Sequence, residues 1–301
     1  MIPIHVAVMP DEVLRQLAPP KPDALIVDGT LGEGGHSSLF LKTFPECRVI
    51  GIDADQSIGE RARDRLAPWS SRFRYIRGWT DEVLKNWDDR DPDIILMDLG
   101  ISAYHLRDSK RGFSFRLEEP LDMRFDADGS INASNLVNSL EEDKLAELIL
   151  QFGEERFSRR IARGIVRERL KTKIRDSRQL AAVVVKTIPL RFRHRRIHAA
   201  TRTFQAIRIA VNSELDRLDR LLRFAPSLLA QDGRLGIISF HSLEDRLVKN
   251  AYRALNSRSS GEYRIVTRKP MRPQDEEIRM NPSSKGAKFR VLEKSKTGMS
   301  K

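Results

Sequence analysis

Short apolar runs set the pattern of the first hundred residues. Ala24 to Val27, Arg48 to Ile52, Phe73 to Ile76 and Pro92 to Gly100 each hold an apolar stretch too short for a helix and rich in β-formers, which predicts four strands. His5 to Pro20, Ser37 to Phe44 and Ser57 to Leu66 have the composition or apolar spacing of helices between them. Ile94 to Met97 is apolar without a break, as expected of a strand buried on both faces. The next convincing strand, Arg234 to Phe240, comes only after an interval of 133 residues, 101 through 233. Structureless loops of that length are rare in compact domains, so the interval predicts an inserted domain. Glu141 to Leu150, Glu154 to Leu170 and Arg178 to Ile188 read as helices, which makes the insertion mostly α. Phe204 to Leu229 reads as one or two long helices returning to the sheet. Leu243 to Leu255 predicts a further helix, capped by Ser242 with Asp245, and Tyr263 to Thr267 with Lys288 to Leu292 predict a hairpin-like pair closing the sheet. The expected division is an α/β domain from residues 1–103 and 201–295, a helical insertion at 104–200, and a disordered tail at 296–301.

The segment Ala24 to Asp55 organises this pattern as strand, glycine loop, helix and strand, a βαβ unit. Asp28 opens a loop holding Gly29, Gly32, Gly34 and Gly35, where missing Cβ atoms allow tight turning and close approach of a ligand. Asp53 and Asp55 follow the second strand, and Asp98 ends the fourth. Ligands of open parallel sheets bind beyond the carboxyl ends of the strands, where an acid suits ribose hydroxyls. A dinucleotide fingerprint needs a third glycine where this chain has Ser37, and Asp28 and Glu33 are poor neighbours for a pyrophosphate. The same carboxylates suit a ligand with a sulfonium and an ammonium group, so S-adenosylmethionine is favoured over NAD. Trp79, in the turn after the third strand, suits either core packing or a face for the cofactor's adenine or sulfur.

Charge adds a second theme. Lys plus Arg total 54 against 42 Asp plus Glu, a net charge of +12, and such an excess favours a polyanionic partner. Between Lys186 and Arg208 lie seven basic residues, Arg193, Arg195 and Arg196 among them, and no acidic one. A solvated helix face usually interleaves signs, so this block beside Phe192, His194 and Phe204 leans towards nucleic acid. Cys47 is the sole cysteine, which excludes an internal disulfide and a multi-cysteine zinc site; no metal is expected. No apolar run approaches the 18 or more residues of a membrane span, and the N-terminus does not read as a secretory signal, so a cytoplasmic location is expected.

Several long segments resemble the bacterial ribosomal RNA small subunit methyltransferase H family. They are DGTLGEGGHS (28 to 37), DLGIS (98 to 102), RGFSF (111 to 115), PLDMRFD (120 to 126), GEERFSRRIA (153 to 162), ATRTFQAIRIAVNSEL (200 to 215) and ISFHSLEDRLVK (238 to 249). The resemblance extends from His5 to about Arg290. It implies a class I, Rossmann-like methyltransferase sheet with an inserted α-helical substrate-recognition domain. It also implies methyl transfer from S-adenosylmethionine to N4 of a cytidine in the decoding region of 16S ribosomal RNA, within the small ribosomal subunit. By position, the family's cofactor contacts fall on Gly34, Gly35, His36, Asp53 and Asp98. Where the family has phenylalanine this chain has Trp79 and Thr80, and where it has glutamine this chain has His105.

Transfer to an exocyclic amine needs an acceptor for the amine proton, and Asp98 is the candidate; it also suits a purely anchoring role. His241, just after the fifth strand, is equally compatible with a catalytic and a structural role. Phe113, Phe115 and Arg124 suit stacking and phosphate contact with an extruded base, or equally aromatic packing between domains. Three other readings stay open: an RNA-binding module without catalysis, a NAD-linked oxidoreductase that tolerates Ser37 at the glycine site, and methylation of another RNA, DNA or a protein. A homo-oligomer is compatible with the sequence, which leaves the oligomeric state undetermined.

Overall fold

The computed structural model describes residues 7–193, 198–258 and 261–295. The chain opens with α1 (Pro10–Gln16), β1 (Leu25–Asp28), α2 (Gly35–Thr43), β2 (Arg48–Asp53), α3 (Gln56–Leu66), β3 (Phe73–Arg77), α4 (Thr80–Lys85) and β4 (Ile94–Asp98). Six helices follow, α5 (Ala103–Arg107), α6 (Ala133–Ser139), α7 (Glu142–Gly153), α8 (Ser158–Arg169), α9 (Ser177–Thr187) and α10 (Thr201–Asn212). The chain then runs through α11 (Glu214–Leu228), β5 (Arg234–Ser239), α12 (Ser242–Arg258), β6 (Tyr263–Ile265), α13 (Asp275–Met280) and β7 (Lys288–Lys294). Its contacts divide it into two compact units. One joins the stretch up to Ser102 to the stretch from Leu215 onward, and the other is Ala103–Glu214.

The first unit is a seven-stranded sheet in the order β3-β2-β1-β4-β5-β7-β6, the Rossmann-like arrangement expected. The pairs from β3 to β5 are parallel, and β7 enters antiparallel between β5 and β6. Side chains of a strand alternate between faces, so β1 and β2 feed two cores. Ile26, Val49, Leu96 and Ile238 pack with α1, α2 and α3 residues such as Val13, Phe40 and Leu66. Val27, Ile50, Ile95 and Ile237 pack with Leu218, Leu222 and Tyr252 of α11 and α12. Burial on both faces explains why these strands lack polar alternation. Sequence order reverses between β1 and β4, and a crevice opens at such a switch point beyond the strands' carboxyl ends.

The second unit is helical. Helix α7 packs against α8 and α10, and α8 against α9. Leu145, Ile149, Ile161, Ile165, Leu180, Val184 and Ile207 are fully buried there. The apolar pattern predicts a return to the sheet from residue 201, whereas α10 belongs with the helical unit. The break comes at Ser213, whose φ of 51° ends α10 in the left-handed region. Helix α6 escaped the sequence reading because it is short and polar, held by an Asn132–Asn135 capping box. The tail at 296–301 lies outside the described residues.

Candidate functional site

The glycine loop is seated by backbone geometry. Gly34, the N-cap of α2, has φ 75°, and a Cβ there would lie 2.9 Å from Leu66 Cδ1, so only glycine fits. Asp53 Oδ2 accepts the Gly32 N–H at 2.8 Å and Oδ1 accepts the Asp55 N–H at 2.9 Å. A carboxylate has about four acceptor positions, so Asp53 latches the loop and keeps capacity for further donors. The Thr80 hydroxyl donates to the Gly29 carbonyl, and Thr80 is buried. Thr80 therefore holds the loop from beneath. Trp79 is partly exposed, with the Arg217 guanidinium 4.0 Å over its ring. Arg217 is in turn held by Asp81 and Glu82 at 2.8 Å each. The tryptophan edges a surface cavity of ≈ 380 Å³ with Arg77, Glu82 and Trp87.

A buried ionisable group sits at the loop's far end. Asp28 is 1 % exposed; Ser37 Oγ donates to its Oδ2 at 2.7 Å and the Thr30 backbone N–H also favours the carboxylate, while its Oδ1 makes no well-formed hydrogen bond. Burial raises the Asp28 carboxyl above its ordinary range, against the downward pull of His36 and Ser37. His36, in the first turn of α2, is also buried, and neither ring nitrogen makes a hydrogen bond. Its Nε2 lies 3.4 Å from Asp98 Oδ2, close enough for attraction though not aligned for a bond. Asp98 is 12 % exposed at the end of β4, and its backbone N–H donates to Thr30 Oγ1 at 2.6 Å. Buried polar atoms are normally paired, so orphans on both Asp28 and His36 mark a place built for another group. Two carboxylates beside it, Asp28 and Asp98, favour a cation. The residues fit S-adenosylmethionine, whose sulfonium and ammonium are both positive.

The other sequence candidates have different surroundings. His241 is the residue preceding α12, with Nε2 3.0 Å from Glu244 Oε1. Glu244 Oε2 accepts the backbone N–H groups of Phe240 at 2.8 Å and His241 at 3.2 Å. His241 and Glu244 thus form the cap expected of Ser242 and Asp245. Asp245 instead accepts from Lys288 Nζ at 3.1 Å and Arg290 Nε at 2.7 Å. His241 is placed in the cap, while its buried Nε2 makes no hydrogen bond.

Within the helical unit, His105 is buried with its ring 5.1 Å from Phe113 and 4.9 Å from Phe125. Phe113 is 6 % exposed and stacks on Phe125 at 5.3 Å, so it offers no free face to a base. Arg124 donates through Nε and Nη2 to Asp122 at 2.9 and 2.7 Å and through Nη1 to the Gly129 carbonyl at 2.6 Å. Burial would raise the Asp122 carboxyl, but the hydrogen bonds and charge of Arg124 bring it below its ordinary value. Arg124 thus braces its own loop, and the expected phosphate contact would have to break that pair. Arg193 donates to the carbonyls of Ile188 and Lys186 at 2.7 and 2.9 Å. Arg195 and Arg196 lie outside the described residues.

Asn212 ends α10 and is buried. Its Oδ1 accepts the Phe125 N–H at 2.8 Å, and its Nδ2 donates to the carbonyls of Met123 at 2.8 Å and Arg208 at 3.0 Å. Arg111 donates to the carbonyls of Arg124 and Phe125 at 3.0 and 2.9 Å. The Asn212 amide thus joins the motifs at 120–126 and 200–215, and Arg111 joins 111–115 to 120–126. A lone Asn at the end of the apolar run of α10 was the available signal.

The MraW methylase family matches residues 3–295. A Treponema denticola protein named ribosomal RNA small subunit methyltransferase H is 48% identical, with 98% of each chain covered. A Thermotoga neapolitana protein of the same name is 44% identical, covering 96% of this chain and 95% of its own. The structure of an rRNA methylase from Streptococcus thermophilus aligns over 98% of this chain and 99% of that one, with 11% identity and a TM-score of 0.40.

Proposed function

The chain belongs to the MraW methylase family, and from that premise we propose that it methylates N4 of a cytidine in the decoding region of 16S ribosomal RNA. The observation that carries the reading is the set of acids at the ends of β1, β2 and β4, with unpartnered buried atoms on Asp28 and His36. S-adenosylmethionine supplies a methyl group on a sulfonium, an electrophile that needs positioning more than activation. Asp53 would accept ribose hydroxyls while it holds the glycine loop. Gly34 and Gly35 allow close backbone approach, and Asp28 and His36 would surround the positive end.

The cytosine amine is a weak nucleophile because its lone pair is delocalised into the ring. Asp98, the most exposed member of the Asp28–His36–Asp98 group, would accept a hydrogen bond from that amine and then its proton. Methylation at ring carbon 5 normally requires a thiolate to add to the base first. Cys47 is buried just ahead of β2, with Sγ 3.6 Å from the Phe40 carbonyl, and burial raises its pKa. A strand of six residues at ~3.3 Å each puts it roughly 20 Å from the end that carries Asp53. That chemistry is closed to this protein, and amine transfer fits.

The reading places the enzyme in the cytoplasm with ribosomal RNA, acting on the small subunit. Among the described residues no helix is long and apolar enough to cross a membrane. The reading is checked by incubating the protein and labelled S-adenosylmethionine with small subunits lacking the modification, then digesting the RNA. Label in N4-methylcytidine is expected. Label only in 5-methylcytidine, or only in protein, would overturn it.

A further inference from the structure

The helical unit carries a second cluster of charge and aromatic surface that the cofactor site does not use. Arg156 and Phe157 form the turn before α8, and Arg191 and Phe192 lie after α9, 35 positions on in sequence. The fold brings the two pairs together. The Phe157 and Phe192 ring centroids are 5.2 Å apart, and the Arg156 guanidinium lies over both, at 4.6 and 4.2 Å. Arg191 lies over Phe192 at 4.8 Å. Arg156 and Arg191 are exposed, as are Arg159 and Arg160 in the first turn of α8, which contains no acidic residue.

Among the described residues none of these four arginines has an ion pair, in contrast to Arg163, 3.3 Å from Glu142. Of the two acids just before the cluster, Glu155 is buried and accepts the Phe157 N–H at 2.9 Å, and Glu154 is exposed. A guanidinium over a ring uses its face, while its N–H edge remains available for a bidentate contact to a phosphate. The ring contacts hold the guanidinium groups in place in advance, which lowers the entropy lost when a ligand is gripped. Guanidinium planes and aromatic rings are also the surfaces on which unpaired bases stack.

We infer that Arg156, Phe157, Arg191 and Phe192, with Arg159 and Arg160, form a binding surface for a single-stranded segment of RNA. This rests on the reading of ribosomal RNA as substrate, and names where a flanking strand is held. An acidic protein segment would meet the charges alone, whereas RNA brings phosphates for the N–H edges and planar bases for the guanidinium faces, so RNA is the better match.

The test measures binding of labelled oligouridylate to the full chain across a salt series, with S-adenosylmethionine binding and thermal melting as controls for folding. The Arg156→Ala/Arg191→Ala variant should bind about tenfold more weakly or worse. Its log–log salt slope should be shallower by about 1.4, two phosphates at ~0.7 each. Phe192→Leu should weaken binding with the slope unchanged. Arg156→Lys/Arg191→Lys, the milder change, should likewise keep the slope and lose affinity, since lysine does not stack as a plane. Wild-type affinity and slope in both double variants would overturn the inference. So would polyglutamate binding as strongly as oligouridylate, which would make this an acidic-protein surface. If small subunits accept no methyl group but these changes in oligouridylate binding are seen, the functional reading falls and the surface stands. Normal methylation with unchanged oligouridylate binding does the reverse.

Discussion

The acid-lined edge of the sheet and the arginine-rich helical unit treat charge in opposite ways. At the sheet edge Asp28 and His36 are buried with polar atoms unpartnered. In the helical unit the candidates read as free cations are tied down: Arg124 to Asp122, Arg193 to carbonyls, and Arg208 to Glu214 at 2.8 Å. Among the described residues, Arg156 and Arg191 meet aromatic rings and have no carboxylate partner. Charge in the sequence therefore identifies a functional group only where the fold leaves it without a protein partner. The sheet edge stores that want in its interior, and the helical unit stores it on its surface.

The largest effect should come from Asp98. If it accepts the amine proton, Asp98→Ala lowers turnover by about 100-fold or more, as loss of a general base does. Single-turnover methylation with saturating S-adenosylmethionine separates this from weaker cofactor binding. Turnover within a few-fold of wild type would leave Asp98 an anchor only.

Asn212→Ala should act on stability rather than chemistry. It strands the Phe125 N–H and the Met123 carbonyl in a buried place, a loss of about 2–3 kcal/mol by urea unfolding. Unchanged stability would show that the motif cluster holds without its central amide. Asp53→Ala should weaken S-adenosylmethionine binding by about 1–3 kcal/mol by calorimetry, since it loses both the ribose acceptor and the Gly32 latch. Wild-type affinity would remove Asp53 from the site.

The smallest effect concerns Asp28 and has a definite sign in pH. Its folded pKa is raised by burial, so the folded state disfavours the ionised form. That penalty is absent below the unfolded pKa and grows as pH rises from there towards the folded value. Asp28→Asn should therefore raise the melting temperature of the ligand-free protein at neutral pH, with the gain shrinking below about pH 4. It should also weaken S-adenosylmethionine binding. A lower melting temperature at neutral pH would show that ionised Asp28 is already balanced within the protein.

What the sequence revealed depended on distance along the chain. The strands were legible because Ile94 to Met97 and its counterparts are buried on both faces, and the acids that end them follow directly. Relations across the fold were not. Phe157 and Phe192 meet only once α8 and α9 are packed, and Asn212 reaches Met123 and Phe125 from 87 or more residues away. Arg124 reads as a phosphate ligand until its loop bends it onto Asp122 two residues back. The cap before α12 was legible in place but not in its residues: His241 and Glu244 form it, one residue earlier than Ser242 and Asp245.

The central claim is that the acids at the sheet edge recognise positive charge. It is tested most directly by titrating S-adenosylmethionine and its neutral product, S-adenosylhomocysteine, into wild type and Asp98→Asn by calorimetry. The two ligands share the nucleoside and the amino acid, and differ by the methyl group and the sulfonium charge. Removing a neighbouring carboxylate charge should shift the ratio of their affinities away from the charged ligand by about tenfold, roughly 1.4 kcal/mol. An equal loss for both ligands, leaving the ratio unchanged, would contradict the account.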